Sequence, residues 1–284
     1  MKAPRNSADS SIASVTAGGQ AIRVGVGGWT FVPWRNNFYP EGLVQRLELE
    51  YASRHLRTIE INGTFYGAQK PATYAKWRSE TPEGFVFSLK APARIVESKT
   101  LAGTGKQIEG FVFGGLAELG DRLGPILWQF GTHRRFDADE FARFLDLLPD
   151  QLDGRPLRHV LEVRNESFRC NDYVDLVRKR KRPTVFTDSP DYPSFADITG
   201  DFLYARLMRS QSAIPTGYVP ADLDAWATRA RQWAEGGAPE DLLQVQKTVP
   251  TKKARDVFIY FIGAAKERNP AAAMALQERV DKRR

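Results

Sequence analysis

Apolar residues occur in eight short runs along the chain, and each run is bounded by glycine, proline or polar residues. Runs of this length and setting are typical of β-strands, whereas longer periodic stretches are typical of helices. The runs span residues 22–28, 57–62, 85–90, 125–129, 159–164, 184–188, 202–206 and 257–261. The pattern therefore predicts eight strands, spread over most of the chain.

Between most of these strands, apolar residues recur at the three- and four-residue spacing of an amphipathic helix. Asp137 and Asn171 are predicted to cap two of the helices, and Pro220 and Pro270 suit a first helical turn. The predicted helices span residues 43–55, 107–119, 138–148, 173–178, 223–234 and 271–280, with a shorter one at 71–79. Strands and helices thus alternate along the chain.

Alternation of this kind predicts an α/β fold with a parallel sheet, and its repetition predicts a single (β/α)₈ barrel of the TIM type. An open doubly wound sheet is the alternative. However, residues 25–28 do not complete its G-x-G-x-x-G fingerprint, and no helix follows them directly. We expect irregular segments after strands six and seven, at residues 189–200 and 234–256.

Residues 21–284 are expected to form one barrel domain, because no internal repeat or linker divides them. Residues 1–20 are rich in serine, alanine and glycine and are predicted to be a disordered leader. The sequence contains no run of about 18 apolar residues, so no transmembrane helix is predicted. Cys170 is the only cysteine, which excludes an internal disulfide and favours a reducing compartment such as the cytoplasm.

The formal net charge of +7 raises the question of nucleic-acid binding. Part of the excess lies in residues 178–182, which are all arginine or lysine, and part in residues 282–284. The first run follows a predicted helix and precedes Pro183, and cations at such a helix end are stabilised by the helix dipole. A solvated helix end is therefore favoured over a nucleic-acid contact.

Polar residues gather late in most of the predicted strands; in strand two, for example, Glu60 alternates with Ile59 and Ile61. Residues two apart share a face of a strand, so the apolar set packs under the helices and the polar set points to the barrel axis. Barrel enzymes build their sites at this C-terminal mouth. The residues predicted to converge there are Glu60, Asn62, Lys90, Gln129, Glu162, Arg164, Asp188, Tyr204 and Arg206.

These residues predict a site for acid/base chemistry of hydrolase or lyase type on a small polar or anionic substrate. Glu60 and Glu162 would form the acid/base pair, and Lys90 would act as a base or a Schiff-base amine. Arg164 and Arg206 suit a carboxylate or phosphate, which a guanidinium binds in bidentate fashion. The predicted substrate-binding residues are Trp29, Asn62, Phe65, Tyr66, Gln129, Arg164, Asp188, Tyr204 and Arg206.

Other functions stay open at this point. A glycosidase would use the two glutamates as its carboxylate pair and Trp29, Phe65 and Tyr66 as sugar platforms. The barrel would otherwise bind a ligand or nucleic acid without turnover, or be a scaffold whose site has decayed. No cofactor or metal is predicted, because the three histidines are scattered along the sequence, although the three acids of the cluster leave oxygen-only ligation of a divalent cation open.

Distinctive motifs lie in and around the predicted strands. Residues 58–66, which read Thr-Ile-Glu-Ile-Asn-Gly-Thr-Phe-Tyr, are the most specific. Others are Val-Gly-Val-Gly-Gly-Trp at 24–29, Phe-Val-Phe-Ser-Leu-Lys at 85–90, Leu-Gly-Pro at 123–125, Glu-Val-Arg at 162–164 and Val-Phe-Ile-Tyr-Phe at 257–261. With these motifs the chain resembles, over about residues 21–281, the YecE-like family of unknown function (DUF72), whose members are TIM-type barrels. The resemblance implies that fold and supplies no established reaction.

Two positions depart from the family pattern. Members often carry Asn-Asn after the last strand, where this chain has Ile262 and Gly263. Members also often carry a histidine a few residues beyond the position of Lys90, and residues 91–100 contain none. A role that needs those groups is therefore not carried over to this chain.

Overall fold

The fold is described from a computed structural model that covers residues 21–247 and 253–282. The predicted leader at residues 1–20 lies outside the described residues. Eight strands match the predicted runs to within two residues at each end. They are β1 (Ile22–Gly27), β2 (Thr58–Ile61), β3 (Val86–Lys90), β4 (Leu123–Phe130), β5 (His159–Val163), β6 (Phe186–Asp188), β7 (Phe202–Leu207) and β8 (Asp256–Phe261).

All eight strands are parallel and form one ring. Their hydrogen-bonded order is β5-β4-β3-β2-β1-β8-β7-β6. The ring closes between β5 and β6 through a parallel bridge from Leu161 to Thr184. There the Leu161 amide donates to Pro183 O at 3.0 Å, and the Val185 amide donates to Leu161 O at 2.8 Å. The predicted (β/α)₈ barrel is confirmed.

Helices surround the ring, as a parallel barrel requires. The α-helices are α1 (Glu48–His55), α2 (Gly63–Tyr66), α3 (Pro71–Ser79), α4 (Ala93–Val96), α5 (Gly105–Val112), α6 (Ala138–Asp146), α7 (Asn171–Lys179), α8 (Pro220–Ala234) and α9 (Asn269–Asp281). Short 3₁₀ helices occupy Val32–Trp34, Gln45–Leu47, Leu101–Gly103, Leu116–Arg122, Glu166–Phe168 and Lys266–Arg268, and a two-stranded hairpin joins Gln151–Leu152 to Arg155–Pro156.

Some helix predictions differ from the structure. The single helix predicted at 107–119 is divided into α5 and a 3₁₀ helix, because Gly115 adopts a φ of 139°, which an α-helix does not tolerate. Asn171 is the first helical residue of α7, and Cys170 takes the capping position before it. Asp137 does cap α6, since its side chain accepts from the Glu140 amide at 2.8 Å.

Successive side chains of a strand point to opposite sides of the sheet, so the strands contribute to two apolar layers, one outside and one inside the ring. Outward residues such as Ile59, Leu161 and Ala205 join the large core between the ring and the helices. The smaller inner core fills the barrel axis with Leu127, Val160, Val185, Phe202, Tyr204, Phe258 and Tyr260. Because side chains fill the barrel axis, a ligand has access only to an end of the barrel.

The N-terminal end of the barrel is closed by ion pairs and rings. Arg158 Nη1 lies 2.7 Å from Asp256 Oδ2, and Arg23 Nη1 lies 3.8 Å from Asp256 Oδ1. Both guanidinium groups lie over the ring of Phe258, at 5.7 and 5.9 Å. The opposite end, at the carboxyl ends of the strands, carries the polar residues that the sequence predicts. Among the described residues, no helix has the length and apolar content needed to cross a membrane.

Candidate functional site

Arg206 in β7 joins two carboxylates at the centre of the mouth. Its Nη2 donates to Glu60 Oε1 at 2.9 Å, and its Nη1 donates to Glu162 Oε2 at 2.5 Å. Both carboxylates are fully buried, and Arg206 is 2% exposed. Burial alone would lower the pKa of Arg206, but the two carboxylates outweigh it and raise that pKa. Charges at this depth are stable only when paired in this way.

Glu162 accepts hydrogen bonds at both carboxylate oxygens. Besides Arg206, Gln129 Nε2 donates to Oε2 and Arg164 Nε donates to Oε1, each at 2.7 Å. Burial alone would raise the pKa of Glu162, but the charges of Arg206 and Arg164 outweigh it and hold the pKa below its ordinary value. Glu162 is therefore ionised and held in one position.

Glu60 rests on a layer of hydroxyl groups. Tyr204 OH donates to Glu60 Oε2 at 2.7 Å and lies 2.9 Å from Ser88 Oγ. Its ring stacks on Tyr260, with the centroids 4.8 Å apart, and Tyr260 OH lies 2.8 Å from Thr58 Oγ1. Burial, and after it the charge of Glu60, raises the pKa of Tyr204 well above its ordinary value. The phenol therefore stays protonated and serves as a donor.

Lys90, the last residue of β3, lies beside this network without joining it. Its ammonium lies over the face of Phe65, with Nζ 3.7 Å from the ring centroid. In the part of the chain that the structure describes, that ammonium forms neither a hydrogen bond nor an ion pair. Burial lowers the pKa of Lys90 to about 8, and the positive charge of Arg206 acts in the same direction. The negative charges of Glu60 and Glu162 act in the opposite direction and do not outweigh these effects.

Arg164 leads from the buried network towards the opening. Its Nε is held by Glu162, its Nη1 donates to Tyr192 OH at 3.3 Å, and its guanidinium stacks on the Tyr192 ring at 4.2 Å. Its Nη2 has no hydrogen-bond partner among the described residues. Tyr192 was missed by the sequence prediction, because it lies in the irregular segment 189–200, where no periodicity assigns a side chain to a face.

Asp188 ends β6 but does not enter the network. Its Oδ1 accepts from Arg209 Nε at 2.7 Å, and Arg209 is half exposed. The predicted cluster contains three acids and three bases, which are Glu60, Glu162, Asp188, Lys90, Arg164 and Arg206. With Asp188 paired outside the network, two carboxylates lie near the side chains of Lys90, Arg164 and Arg206, so the cluster has one more cation than carboxylate when Lys90 is protonated.

The turn after β2 holds three further predicted residues. Asn62 lies at the edge of the network, with Nδ2 3.4 Å from Glu60 O. Phe65 supplies the ring beneath the Lys90 ammonium. Tyr66 is 87% exposed and contacts Phe65 edge to face, which places it on the rim. The structure therefore brings Asn62 and Phe65 to the site and leaves Tyr66 at its border.

Trp29 is not brought to the mouth. Its ring packs against Trp77 at 5.2 Å and against Phe87 at 6.2 Å, on the outer side of the ring of strands. There it lines a surface cavity of about 420 Å³ between α1 and α3. The regular alternation of side chains along β1 ends at Gly28, whose φ of 74° changes the direction of the chain before Trp29. The prediction that Trp29 binds substrate is therefore not supported by its position.

The groups that commonly hold metals are committed elsewhere. His159 lies at the start of β5, accepts from Trp128 Nε1 at 3.0 Å and donates through Nε2 to Pro149 O at 2.7 Å. Burial lowers the pKa of His159 to about 4, so its ring is neutral. In residues 21–247 and 253–282, no group of three or more His, Cys, Asp or Glu side chains is placed to hold a metal ion.

Curated proteins match parts of the sequence. The UPF0759 protein YecE of Escherichia coli K12 is 30% identical over 113 residues, which cover 39% of this chain and 41% of that protein. The UPF0759 protein YunF of Bacillus subtilis 168 is 33% identical over 70 residues, which cover 25% of this chain and 24% of that protein. The matched stretches thus span less than half the length of these relatives.

Solved structures match the fold over nearly the whole chain. A DUF72 family protein from Thermotoga maritima superposes with a TM-score of 0.71 at 17% identity, covering 92% of this chain and 99% of that one. A DUF72 family protein from Enterococcus faecalis gives a TM-score of 0.66 at 17% identity, covering 93% and 99%. The sequence profile described as "Protein of unknown function DUF72" matches residues 23–284. The chain therefore belongs to the DUF72 family of proteins of unknown function.

Proposed function

We propose that the mouth of the barrel is the active site of an enzyme that acts on a small anionic substrate. The chemistry is acid/base chemistry of hydrolase or lyase type, with Lys90 as the group that exchanges a proton. The observation that carries the proposal is the state of Lys90. It is a cation in a cluster of charges, yet no carboxylate pairs with it.

A lysine of this kind is suited to proton transfer. An ammonium held in an ion pair keeps its proton, whereas burial and neighbouring cations favour the neutral amine. The pKa of about 8 lies near physiological pH, where a group serves both as proton donor and as proton acceptor. Strongly perturbed groups at a barrel mouth are candidates for function for this reason.

In this proposal Glu60 and Glu162 position other groups. Glu60 accepts from Arg206 and Tyr204, and Glu162 accepts from Arg206, Arg164 and Gln129. A general acid needs a carboxyl whose pKa is raised, and the pKa of Glu162 is lowered. The same geometry argues against the glycosidase alternative, because one arginine bridges both carboxylates.

The charge of the mouth supports an anionic substrate. Three cations face two carboxylates, so a bound carboxylate or phosphate would balance the remaining charge. Arg164 offers a free Nη2 in a guanidinium that Glu162 and Tyr192 already orient. An oriented guanidinium loses little side-chain entropy when it binds an anion.

The three arginines of the basic run at the end of α7 are paired within the protein, which weakens the nucleic-acid alternative. Arg178 contacts Gln246 and Asp175, Arg180 Nε lies 3.0 Å from Asp146, and Arg182 Nη2 lies 2.7 Å from Asp150. Cations neutralised within the protein contribute little to phosphate binding. An enzyme of the cytoplasm is also consistent with a chain whose single cysteine allows no internal disulfide.

Thermal denaturation with small ligands tests the proposal. Small carboxylates and phosphates are expected to raise the melting temperature, and neutral sugars are not. A ligand that binds only the native state at a hundred times its Kd adds about 2.7 kcal/mol to the free energy of unfolding. The increase is expected to disappear in Arg164→Gln and to persist in Arg180→Gln, which removes a surface arginine. Equal stabilisation by neutral sugars, or no loss in Arg164→Gln, would contradict the proposal.

A further inference from the structure

We infer that Lys90 forms a covalent imine with a small aldehyde or ketone that carries a carboxylate or phosphate, bound through Arg164. The inference rests on the proposed function and narrows its substrate to an anionic carbonyl compound. It also narrows the reaction to one that passes through the nitrogen of Lys90.

Lys90 is a nucleophile at the mouth that neither a hydrogen bond nor an ion pair engages among the described residues. The hydroxyl of Ser88 is buried and donates to Pro125 O, beside Tyr204 OH. The hydroxyl of Thr58 is fully buried and donates to Val86 O. Both lie in the hydroxyl layer beneath Glu60, whereas Lys90 is partly exposed at the end of β3. The thiol of Cys170 belongs to the outer layer before α7.

The surroundings of the amine favour its neutral, reactive form. Deprotonation of Lys90 breaks no ion pair, and it removes repulsion from Arg206 and Arg164. The ring of Phe65 contacts Nζ from one side and holds it in position, although its face attracts the ammonium, so the lowered pKa comes from burial and the neighbouring cations. Lysines that form Schiff bases are activated by such desolvation and by neighbouring cations.

The backbone and side chains around Lys90 also hold it in place. Thr64 Oγ1 donates to Lys90 O at 2.7 Å and lies 3.1 Å from Ile61 O, so it ties the ends of β2 and β3 together. The side chain of Arg164 is held by its hydrogen bonds to Glu162 and Tyr192. A reactive amine and an anion-binding guanidinium on fixed elements select a substrate that carries both a carbonyl and an anionic group.

The reaction balances without a cofactor. The neutral amine of Lys90 attacks the carbonyl carbon, a C–N bond forms as the C–O π bond breaks, and one proton passes from the nitrogen to the carbonyl oxygen. The resulting neutral carbinolamine takes up one proton at its hydroxyl group and loses one water, which leaves a protonated imine. That cation draws electrons from the neighbouring carbon, so a proton on this carbon is released more easily and an enamine forms. A proton returned to the same carbon restores the imine, water adds to the imine carbon, and the C–N bond breaks to release the carbonyl compound and the lysine.

Reductive trapping of the whole protein tests the inference. The protein is incubated near neutral pH with pyruvate, with glycolaldehyde phosphate or with neutral propanal, and borohydride then reduces any imine. Peptide mass spectrometry is expected to show that Lys90 has gained the mass of one pyruvic acid less one oxygen atom. With the phosphate probe, the expected mass gain is that of glycolaldehyde phosphate less one oxygen atom. Its labelling rate is expected to exceed that of the exposed Lys106 on α5 by about tenfold or more.

Matched variants separate the role of Lys90 as nucleophile from the role of Arg164 in binding the anion. Lys90→Met is expected to abolish the adduct on that peptide, and Lys106→Met is expected to leave it unchanged. Arg164→Gln is expected to slow labelling by the two anionic probes about tenfold and to leave the rate with propanal unchanged. The pyruvate and phosphate arms show which anion the site prefers.

The outcomes distinguish the inference from the proposed function. If labelling is spread evenly over the lysines, or if Arg164→Gln does not change it, the inference that Lys90 forms an imine with an anionic carbonyl compound is wrong. Thermal stabilisation by lactate, which has no carbonyl, combined with no adduct on Lys90 would overturn the imine and leave the anion site intact. Neither stabilisation nor labelling by any probe would overturn both.

Discussion

Glu162 receives hydrogen bonds from side chains on β4 and β7 and from Arg164 just after β5. We expect Glu162→Gln to lower the free energy of unfolding by about 3–5 kcal/mol, because it leaves buried cations without their counter-charge. Urea denaturation near neutral pH measures the change. Asp224→Asn is the control, since it breaks the surface pair with Arg279 and is expected to cost less than about 1 kcal/mol. A similar small loss in both variants would contradict the geometry of the network.

The pH dependence of stability provides a second test of the same residue. The folded state holds the pKa of Glu162 below its ordinary value of 4.5. Its contribution to stability is therefore fully present above that ordinary value and is lost as the pH falls through the folded pKa. We expect the difference in free energy of unfolding between the wild type and Glu162→Gln to be constant near neutral pH and to shrink in acid. A difference that grows on acidification would have the wrong sign.

Lys90 is expected to behave in the opposite way in stability experiments. Its pKa falls from 10.5 to about 8 on folding, so the folded state disfavours the ammonium. Lys90→Met is expected to raise the free energy of unfolding at pH 7 by about 1–2 kcal/mol, less than the full shift because Nζ is partly solvated. Between about pH 8 and 10.5 the wild type gains stability as its amine deprotonates, so the advantage of the variant is expected to vanish there. Lys106→Met is the control for loss of a lysine.

The sequence predicted the direction of a side chain where the residue lies within a strand. Glu60, Gln129, Glu162 and Arg206 sit within strands, and the two-residue period fixes their direction. Parity does not reveal which charges pair, so neither the unpaired state of Lys90 nor the pairing of Asp188 with Arg209 followed from it. Residues beyond strand ends, such as Trp29, Tyr66 and Tyr192, were the least predictable, because turns set their directions.

At the scale of elements, the spacing between neighbouring strands depends on glycine. A Cβ at Gly25 in β1 would lie 1.8 Å from Thr58 O in β2, and backbone atoms cannot yield by that amount. We expect Gly25→Ala to lower the free energy of unfolding by about 3 kcal/mol or more and to displace the site at the end of β2. Gly110→Ala on α5 faces open space and is expected to add up to about 1 kcal/mol. Circular dichroism during denaturation measures both, and equal effects would contradict the packing of β1 on β2.

Element positions were predictable because strand length and helical spacing are local properties of the sequence. The exceptions have local causes too. The glycine pair at 114–115 divides the helix predicted at 107–119. In the region predicted as a helix at 43–55, a 3₁₀ turn at Gln45–Leu47 precedes the α-helix. Closure of the ring, through Leu161 and Thr184, is a long-range property that only the count of elements indicated.

At the scale of the whole molecule, the barrel places a cluster of charged side chains at the carboxyl ends of the strands, above a packed inner core. The overall charge of +7 did not identify this feature, because arginines of the basic run are neutralised by acids on neighbouring elements. The departures from the family pattern also matter here, since Ile262 packs against the inner core at the position where members often carry a polar residue.

The titration of Lys90 tests the account most directly. Lysine side chains carrying ¹³C at the ε position are followed by NMR as the pH is raised, and Lys90→Met assigns the signal. The account predicts a midpoint of about 8 for Lys90, whereas exposed lysines titrate near 10.4. A midpoint at or above the ordinary lysine value would show that a carboxylate holds the ammonium, and would contradict the unpaired amine on which the proposed function depends.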